Sequence, residues 1–367
     1  MELINPSCLS FAGDFNTQMK EVINYIKISD EECKNRKKVM YDLNSVLASI
    51  CEGSQMEEFG SRLTGLALKN SDIDCFVNIP QDVSEHAVQL VLRTQKALLK
   101  NEKFVNINVF TKTKIPKVNF QHRKTKICCD VTFSGRGALK NSLLLQYLIS
   151  SDERIRPLMF IVKYWAKINK ITGRRLMSNY CLILLVVFFL QKERILPTIE
   201  CLQLNVEMEE TDYWNTEFAR VVNLNDNQKS VYNLLGDFFR FYSTLDFENN
   251  IISLYTGDLI RRKCFANVQD ILSVYEIYWV NVREHNLPGL VLDSSFCIQD
   301  PFNHARNAGV TVKRTTAELI VQLMKNAASI YEHESDDYFL PKLLSPYGNK
   351  SSGEARQRQH TGYKNDL

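Results

Sequence analysis

The sequence lacks the cysteine spacings that mark a structural metal site. Its ten cysteines are scattered, and none of them forms a CxxC pair or a matching Cys/His spacing. Several lie inside apolar runs, where a free thiol behaves as a small hydrophobic group. The cysteines therefore predict reduced, mostly buried thiols in an intracellular protein.

Long apolar runs are lacking as well. The longest one, Tyr180–Leu190 (YCLILLVVFFL), is far shorter than the roughly 20 residues that a membrane-spanning helix needs. The first ten residues also lack the basic start and the apolar stretch of a secretory signal. We therefore expect a soluble cytoplasmic protein with no membrane segment, in which the apolar run forms a helix buried on all sides.

A strong overall charge is absent too. Lys and Arg number 45 against 42 Asp and Glu, and a net charge of +3 does not by itself indicate a nucleic-acid partner. The distribution is more informative, because eight basic residues and a single acid, Glu102, lie from Lys100 to Lys126. Such a cluster is suited to contacts with nucleic-acid phosphates. The alternative is a solvated sheet edge whose basic residues discourage aggregation.

Hydrophobic periodicity divides the chain into a mixed α+β part and a mainly helical part. Residues 15–50 predict helix, with a new helix beginning at the capping box that Ser29 and Glu32 form. The pattern up to residue 133 then predicts strands at 56–59, 72–79, 104–111, 114–120 and 126–133, and helices at 63–68 and 82–100. In the second of these helices, the residues on the apolar face are Val88, Val91, Leu92 and Leu99.

From about Gly135 onward the sequence is mainly helical. Helices are predicted near 140–150, 155–170, 177–192, 228–245, 265–285 and 314–333. Residues 341–367 are polar and rich in Gly, Ser, Gln and Arg, which predicts a disordered tail. The predicted fold class is therefore α+β in two domains, one built on a mixed sheet and one mainly helical.

Two acidic residues lie at strand spacing in SDID at 71–74, shortly after FGSRLTGL at 59–66. In a strand, residues two apart point to the same face, so Asp72 and Asp74 project together. Two carboxylates on one face repel each other unless a cation lies between them, and hard oxygen ligands suit Mg²⁺ or Mn²⁺. By itself, a D-x-D pair is more typical of a solvated strand end.

A third carboxylate and a glycine turn make the pattern more specific. Asp130 lies in KICCDVTF, on the strand face opposite to its apolar neighbours. Gly60-Ser61, placed before a predicted helix, offers free backbone N–H groups and a hydroxyl, which predicts a phosphate cradle at a helix N-terminus. Three carboxylates beside such a turn match the two-metal displacement scheme, with Asp72, Asp74 and Asp130 as catalytic residues and metal ligands.

The ordered set of motifs resembles a known family. FGSRLTGL, SDID and the later Asp130 are similar to the motifs of DNA-polymerase-β-type terminal nucleotidyltransferases, which include cytoplasmic poly(A) polymerases and RNA uridylyltransferases. CIQDPFNHARN at 297–307 resembles the nucleotide-recognition motif of that family. The resemblance covers about residues 30–335. It implies a UTP-binding cleft between two domains, a catalytic palm at 30–133 and a helical central domain made of 1–29 and 134–340.

The resemblance also implies nucleotide contacts residue by residue. Asn141, eleven residues after Asp130, lies where family members hold the ribose 2′-hydroxyl and the base edge. Lys163 and Lys167 share one helix face where the family grips the triphosphate, and a solvated lysine pair on an amphipathic helix has the same spacing. The other implied nucleotide contacts are Gly60, Ser61, Ser178, Asn179, Tyr180, Asp300 and Arg306.

Two positions depart from the family pattern. In Ser178-Asn179-Tyr180, Asn179 stands where uridylyltransferases often have Ser, so it is open whether Asn179 contacts a phosphate. For Tyr180, the alternative to a nucleotide contact is that it is simply the first residue of the buried helix. Six residues after Asp300, where uridylyltransferases often have a His that reads uracil, this chain has Arg306. Because Arg offers only donors and O4 of uracil is an acceptor, Arg306 favours uracil. The alternative is that it contacts the last nucleotide of the RNA.

The resemblance implies template-independent addition of UMP from UTP to RNA 3′-hydroxyl ends, with Mg²⁺ or Mn²⁺ and with release of pyrophosphate. A poly(A) polymerase that uses ATP is the first alternative, and an inactive RNA-binding scaffold is the second. Uridine tails often mark RNA for 3′-to-5′ decay, so an exonuclease partner is expected, and the expected state is a monomer. RNP, KH and zinc-knuckle motifs are not visible. The expected RNA contacts are Lys112, Lys114, Lys117, Arg123 and Lys124.

Overall fold

The computed structural model describes residues 5–80, 86–173, 175–211, 213–220, 226–266 and 273–345. Two main hydrophobic cores lie within them. The smaller core lies between a five-stranded sheet and two helices, and the larger one lies among helices from both ends of the chain. We call residues 30–133 the sheet domain, and the other described residues the helical domain.

Helix α1 (Phe15–Ile26) precedes the sheet domain and packs into the larger core. The first helix of the sheet domain is capped by Ser29, whose side chain accepts a hydrogen bond from the Glu32 N–H, which is one half of the predicted capping box. The Glu32 carboxylate accepts from Arg36 and from the Asn70 N–H instead. In chain order, the elements of this domain are α2 (Asp30–Ala48), β1 (Gln55–Phe59), β2 (Ile73–Asn78), α3 (Ala87–Leu99), β3 (Phe104–Phe110), β4 (Lys117–His122) and β5 (Cys128–Thr132).

The sheet is mixed and has the strand order β1-β2-β5-β4-β3. Strands β2 and β5 pair in parallel at its centre, and all other neighbours are antiparallel. Alternate residues of the central strands, such as Cys75 and Val131, are fully buried in the core shared with α2 and α3. The predicted mixed sheet is therefore confirmed, and its other face is free to carry polar side chains.

The helical domain is built around α6, in which every residue from Cys181 to Gln191 is buried, as the apolar run predicts. None of the helices in the described residues is long and apolar enough to cross a membrane. The elements of the domain after the sheet are α4 (Gly137–Ser150), α5 (Ile155–Ile168), α6 (Asn179–Lys192), α7 (Ile199–Gln203), β6 (Glu210–Thr211), β7 (Trp214–Asn215), α8 (Val231–Ser243), β8 (Asn250–Ser253), β9 (Asp258–Arg261), α9 (Arg262–Ala266), α10 (Glu276–Arg283), β10 (Ile298–Gln299), α11 (Arg314–His333) and α12 (Asp336–Leu343).

The structure contains a second sheet, made of very short strands, that the sequence analysis did not predict. Its order is β10-β8-β9, and β10 pairs with β8 in parallel. Strands of two to four residues are too short for a period of two to be visible in the sequence. This sheet places Asp300 directly after β10, where the residue is fully buried.

The helix predicted at 63–68 is wrong. Residues 60–65 form hydrogen-bonded turns instead, in which the Thr64 N–H donates to the Gly60 carbonyl at 3.1 Å. Gly60 and Gly65 have φ values of 67° and 70°. Because these are left-handed conformations, they interrupt any right-handed helix.

The orientation predicted for the helix at 82–100 and the start predicted for the tail also need correction. Helix α3 begins at Ala87, and its residues Leu92 and Leu99 are 39% and 66% exposed, since Leu90, Val91, Thr94 and Leu98 form the buried face. Residues 81–85 lie outside the described part of the chain. The tail was predicted to begin at Pro341, but Pro341 lies inside α12, so the predicted start is too early. Residues 346–367 lie outside the described part of the chain.

Candidate active site

Three carboxylates lie on the polar face of the five-stranded sheet. Asp74 is the second residue of β2, and Asp72 immediately precedes that strand. The parallel pairing of β2 with β5 puts Asp74 in register with Asp130. Their neighbours Ile73 and Cys129 point into the core and are fully buried. The structure therefore brings the three predicted catalytic residues to one face.

These carboxylates repel one another in a partly buried setting. Burial first, and then the charges of Asp130 and Asp72, raise the pKa of Asp74 to about 6. Burial and the charge of Asp130 also raise the pKa of Asp72. Raised pKa values mean that the ionised carboxylates have too little positive charge around them, which a divalent cation with oxygen ligands would correct.

Asp130 has a cation of its own. The Lys117 ammonium pairs with its Oδ2, and Asn119 Nδ2 donates to its Oδ1 at 2.7 Å. No three His, Cys, Asp or Glu side chains among the described residues converge as a metal-binding group. The residues that could hold Mg²⁺ or Mn²⁺ are Asp72 and Asp74, with Asp130 in register beside Asp74 on the paired strand.

The turn at Gly60 fits closely against Asp74. A Cβ atom on Gly60 would lie 2.7 Å from Asp74 Oδ2, so this approach requires glycine. The Gly60 N–H donates to Ser142 Oγ at 2.9 Å, and the Ser61 carbonyl accepts a hydrogen bond inside the turn. The helix N-terminus predicted after this turn is wrong, since the described chain between β1 and β2 contains no helix. The phosphate contacts of Gly60 and Ser61 stay predictions, and the Gly60 N–H already has a partner in Ser142.

Two arginines that the sequence did not single out hold the loop between β1 and β2. Arg36 of α2 is 1% exposed and donates to the carbonyl groups of Ser71 and Asp72. Arg156 of α5 donates to two carbonyl groups of the turn at 60–66, at 3.0 and 3.3 Å. Nothing in the helical spacing separates these residues from surface arginines. Their hydrogen bonds position the backbone on both sides of the carboxylates.

Lys163 and Lys167 are not a solvated surface pair. Lys163 is 4% exposed, and its ammonium donates to the carbonyl of Leu66, next to the glycine turn, at 2.5 Å. Burial, and then the charge of Lys167, lower the pKa of Lys163 to about 8. Burial also lowers the pKa of Lys167. Lys163 is buried and Lys167 is half-buried, so an anion that contacts both ammonium groups would relieve their repulsion.

A second polar cluster is centred on Asp300. Its Oδ2 accepts three hydrogen bonds, from Asn141 Nδ2 at 3.0 Å, from the Tyr180 hydroxyl at 2.9 Å and from Arg306 Nη1 at 3.2 Å. Its Oδ1 accepts two N–H groups of its own turn. The Arg306 guanidinium also lies 5.2 Å from the centroid of the Tyr180 ring. The structure therefore brings together four of the predicted nucleotide contacts.

Asn141 has an unused acceptor in this cluster. The residue is 4% exposed, and its buried Oδ1 has no hydrogen-bond partner among the described residues. A buried acceptor without a partner costs about 1–3 kcal/mol. A ligand hydroxyl that donates to Oδ1 would remove this penalty.

The other two residues of the predicted Ser178-Asn179-Tyr180 motif lie at the start of α6. The Ser178 hydroxyl caps the helix by accepting a hydrogen bond from the Cys181 N–H at 3.0 Å, and Asn179 is exposed. Within the described residues, hydrogen bonds join only Tyr180 of this motif to the Asp300 cluster. Burial and the charge of Asp300 raise the pKa of Tyr180 well above 10, so its hydroxyl is a stable donor.

The predicted RNA contacts do not form one patch. Lys112 and Lys114 lie in the loop between β3 and β4, whereas Arg123 and Lys124 lie in the turn between β4 and β5. These are opposite ends of β4, and its six residues span roughly 20 Å. Lys117 begins β4 at the same end as Lys112 and Lys114, and its ammonium contacts Asp130 on the carboxylate face.

Comparison with known proteins agrees with this arrangement. Residues 15–150 match the family described as poly(A) RNA polymerase, mitochondrial-like, central palm domain. Residues 230–306 match the family described as Cid1 family poly A polymerase. The first match contains the three carboxylates, and the second contains Asp300 and Arg306.

Individual relatives cover most of the chain. It is 28% identical over 314 residues to the terminal uridylyltransferase cid1 of Schizosaccharomyces pombe, across 82% of this chain and 74% of the relative. It is 23% identical over 375 residues to the mitochondrial poly(A) RNA polymerase of Mus musculus, across 93% and 59%. The chain spans 37% to 74% of the length of the first curated relatives it matches.

The fold is also that of solved structures. The crystal structure of Cid1 poly(U) polymerase with Mg and 3′-dATP bound superposes with a TM-score of 0.76 at 25% identity, covering 90% of this chain and 98% of that chain. The same overall architecture therefore holds for nearly the whole length of that enzyme.

Proposed function

We propose that this chain, which matches two family models of poly(A) polymerases and resembles the Cid1 poly(U) polymerase in fold, is a nucleotidyltransferase that adds uridylates without a template to the 3′-hydroxyl ends of RNA. UTP is the donor, and Mg²⁺ or Mn²⁺ is the cofactor. The tails mark RNA for a 3′-to-5′ exonuclease, and the protein acts as a monomer in the cytoplasm.

The observation that carries this proposal is the way in which α4 joins the two polar clusters. Asn141 donates to Asp300 in the recognition motif. The next residue, Ser142, accepts the N–H of Gly60, and Gly60 fits against Asp74. A nucleotide with its ribose and base at the Asp300 cluster would therefore have its phosphates near the glycine turn and the carboxylates.

Each side chain of the site has a role in this reaction. Asp72 and Asp74 would hold the divalent cation, which when bound would neutralise charge on the phosphates and lower the pKa of the attacking hydroxyl. Asp130 lies beside the RNA 3′-oxygen. Its hydroxyl proton passes to Asp130 as the oxygen bonds to the α-phosphorus of UTP, the bond from this phosphorus to the pyrophosphate oxygen breaks, and pyrophosphate leaves. Lys163 and Lys167 balance the charge of the triphosphate.

The Asp300 cluster supports uridine as the nucleoside. The buried Oδ1 of Asn141 is suited to accept a ribose hydroxyl. Arg306 donates from Nη1 to Asp300, and its side chain is 47% exposed. Its other guanidinium N–H groups can therefore donate to O4 of uracil. Adenine and cytosine present an amino donor there, and an unpaired donor in a desolvated pocket costs about 1–3 kcal/mol.

His304 does not take the role of the uracil-reading histidine. It is 4% exposed and packs against the rings of Trp214, Tyr255 and Tyr275. Burial lowers its pKa to about 3, so it is a neutral core residue at physiological pH.

A poly(A) polymerase is the second candidate. It is favoured by the poly(A) polymerases among the relatives, and by the Arg that stands at 306, where uridylyltransferases often have His. The carboxylate face is the same in both cases, so only the choice of donor separates them.

The proposal is tested by incubating the purified protein and a short labelled RNA with each NTP in turn, in Mg²⁺, in Mn²⁺ or in EDTA. We expect extension with UTP and either metal, and none in EDTA. Asp130→Asn should abolish extension without lowering the thermal unfolding temperature. Asp258→Asn, a change in an exposed acid paired with Lys192, is the matched control. Normal extension by a folded Asp130→Asn protein would refute the assigned site.

A further inference from the structure

Phe110 is an exposed aromatic residue on the face of the sheet that carries the carboxylates. It is the last residue of the edge strand β3 and is 37% exposed. Lys117 lies directly opposite in the β3–β4 pair, and its Nζ is 5.8 Å from the centroid of the Phe110 ring. The same ammonium pairs with Asp130. One lysine thus connects the ring to the carboxylate that, in the proposed function, lies beside the attacking hydroxyl.

A β-bulge turns Phe110 toward this face of the sheet. Phe104 begins β3 and points into the core, and with regular alternation Phe110, six residues later, would point there too. The register between β3 and β4 shifts around Asn106, which has a φ of 55°. The extra residue reverses the alternation, so that Val109 packs against the core and Phe110 faces the carboxylate side.

The position of the ring suits the terminal nucleotide of an RNA. Phe110 and Asp130 lie two strands apart and two residues out of register, which corresponds to about 12 Å at the usual strand dimensions. The ribose and base of one nucleotide span a similar distance. Directly beyond β3, Lys112 and Lys114 are exposed in the next loop, where they can meet backbone phosphates.

We propose that Phe110 is the stacking platform for the base of the 3′-terminal RNA nucleotide, and that Lys112 and Lys114 contact the phosphates before it. This inference rests on the proposed function, because it places the RNA 3′-oxygen at Asp130. Every base has a π-face, so stacking accepts any terminal nucleotide. The platform therefore holds the RNA end as its last base changes during tailing.

A binding measurement separates this role from activity. We would measure the fluorescence anisotropy of a short labelled RNA, and of the same RNA with an abasic 3′-terminal nucleotide. The natural protein should bind the complete RNA roughly 5- to 150-fold more tightly than the abasic one. Phe110→Ala should lose most of this difference, and Phe110→Trp should restore it. Tyr41→Ala, which removes a 73% exposed aromatic residue of α2, is the matched control.

Two results would overturn the proposal. One is an unchanged preference for the complete RNA in a folded Phe110→Ala protein. The other is an equal loss of affinity for both RNAs, because the ring would then support only the loop. Should Phe110→Ala unfold, Phe110→Leu decides, since it keeps apolar packing and has no π-face. Failure of the proposed function looks different: the Phe110-dependent preference persists, but no NTP is added.

Discussion

At the scale of single residues, burial and mutual repulsion of the three carboxylates destabilise the folded protein. Asp74 lies against the glycine turn and has a pKa of about 6, compared with 3.8 for an unperturbed side chain. As the pH rises from about 4 to 6, the unfolded chain releases this proton before the folded protein does. Stability therefore falls across this window, and the whole penalty is present above pH 6.

Asp74→Asn should consequently stabilise the metal-free protein at pH 7.5, by about 1–3 kcal/mol. The gain should shrink as the pH falls below 6 and disappear toward about pH 3, where Asp74 is protonated in both the folded and the unfolded state. Thermal unfolding in EDTA across this pH range measures it, with Asp258→Asn as the control. If Asp74→Asn gave no stability gain at pH 7.5, the Asp74 carboxylate would not be destabilising the folded protein. Asp74→Asn should also be inactive with Mg²⁺.

The buried lysine gives a second pH dependence. Lys163 has a pKa of about 8, so it is largely charged at pH 7 and largely neutral at pH 9. The KM for UTP should therefore rise as the pH passes through 8. Lys163→Met should have a KM that is already roughly ten- to a hundredfold higher at pH 7 and changes little with pH.

Lys192→Met, a change in a partly exposed lysine paired with Asp258, is the control for this measurement. A Lys163→Met protein whose KM for UTP equals that of the natural protein at pH 7 would place Lys163 outside the triphosphate site.

Arg306 decides the choice of base in the proposed function. Arg306→Ala should lower the ratio of kcat/KM for UTP to that for ATP by about 5-fold or more, as expected from the loss of about 1–3 kcal/mol of discrimination. The ratio is measured with one RNA of constant 3′ end. An unchanged ratio together with an altered preference for the RNA 3′-terminal base would assign Arg306 to the RNA instead.

At the scale of elements, local patterns were predictable wherever one period dominated. The apolar run that became α6, the cap at Ser29 and the alternating strands of the sheet all depend on neighbouring residues in the chain. The turn at 60–66 was not predictable in this way, because two glycines in left-handed conformations replaced the expected helix. The bulge at Asn106 was equally hidden, and it reverses the direction of Phe110.

The glycine turn yields a prediction of its own. Gly60→Ala places a Cβ atom 2.7 Å from Asp74 Oδ2 at a residue with a φ of 67°. It should displace the carboxylate and lower kcat by at least about tenfold, with a loss of roughly 1 kcal/mol of stability. Gly137→Ala is the matched control, because a Cβ atom there meets nothing within 4 Å. Equal activity of the two variants would remove Gly60 from the site.

At the scale of the whole molecule, the two polar clusters depend on contacts between distant parts of the chain. Asn141 and Asp300 are 159 residues apart in sequence, and Gly60 and Ser142 are 82 apart. Motif resemblance identified Asn141, Asp300 and Gly60 as site residues, but their pairing required the fold. No motif marked Ser142, Arg36 or Arg156. The two arginines donate hydrogen bonds to backbone carbonyl groups, and Ser142 accepts one from the Gly60 N–H, so each depends on contacts that only the fold creates.

The central claim is that this chain tails RNA with uridylates, and the composition of its tails tests it most directly. The natural protein would be given a short RNA and all four NTPs at equal concentration with Mg²⁺, and the products would be sequenced. We predict tails made mainly of uridylate, absent in the Asp130→Asn protein. Tails made mainly of adenylate would contradict the choice of donor, and the absence of any tail would contradict nucleotide transfer itself.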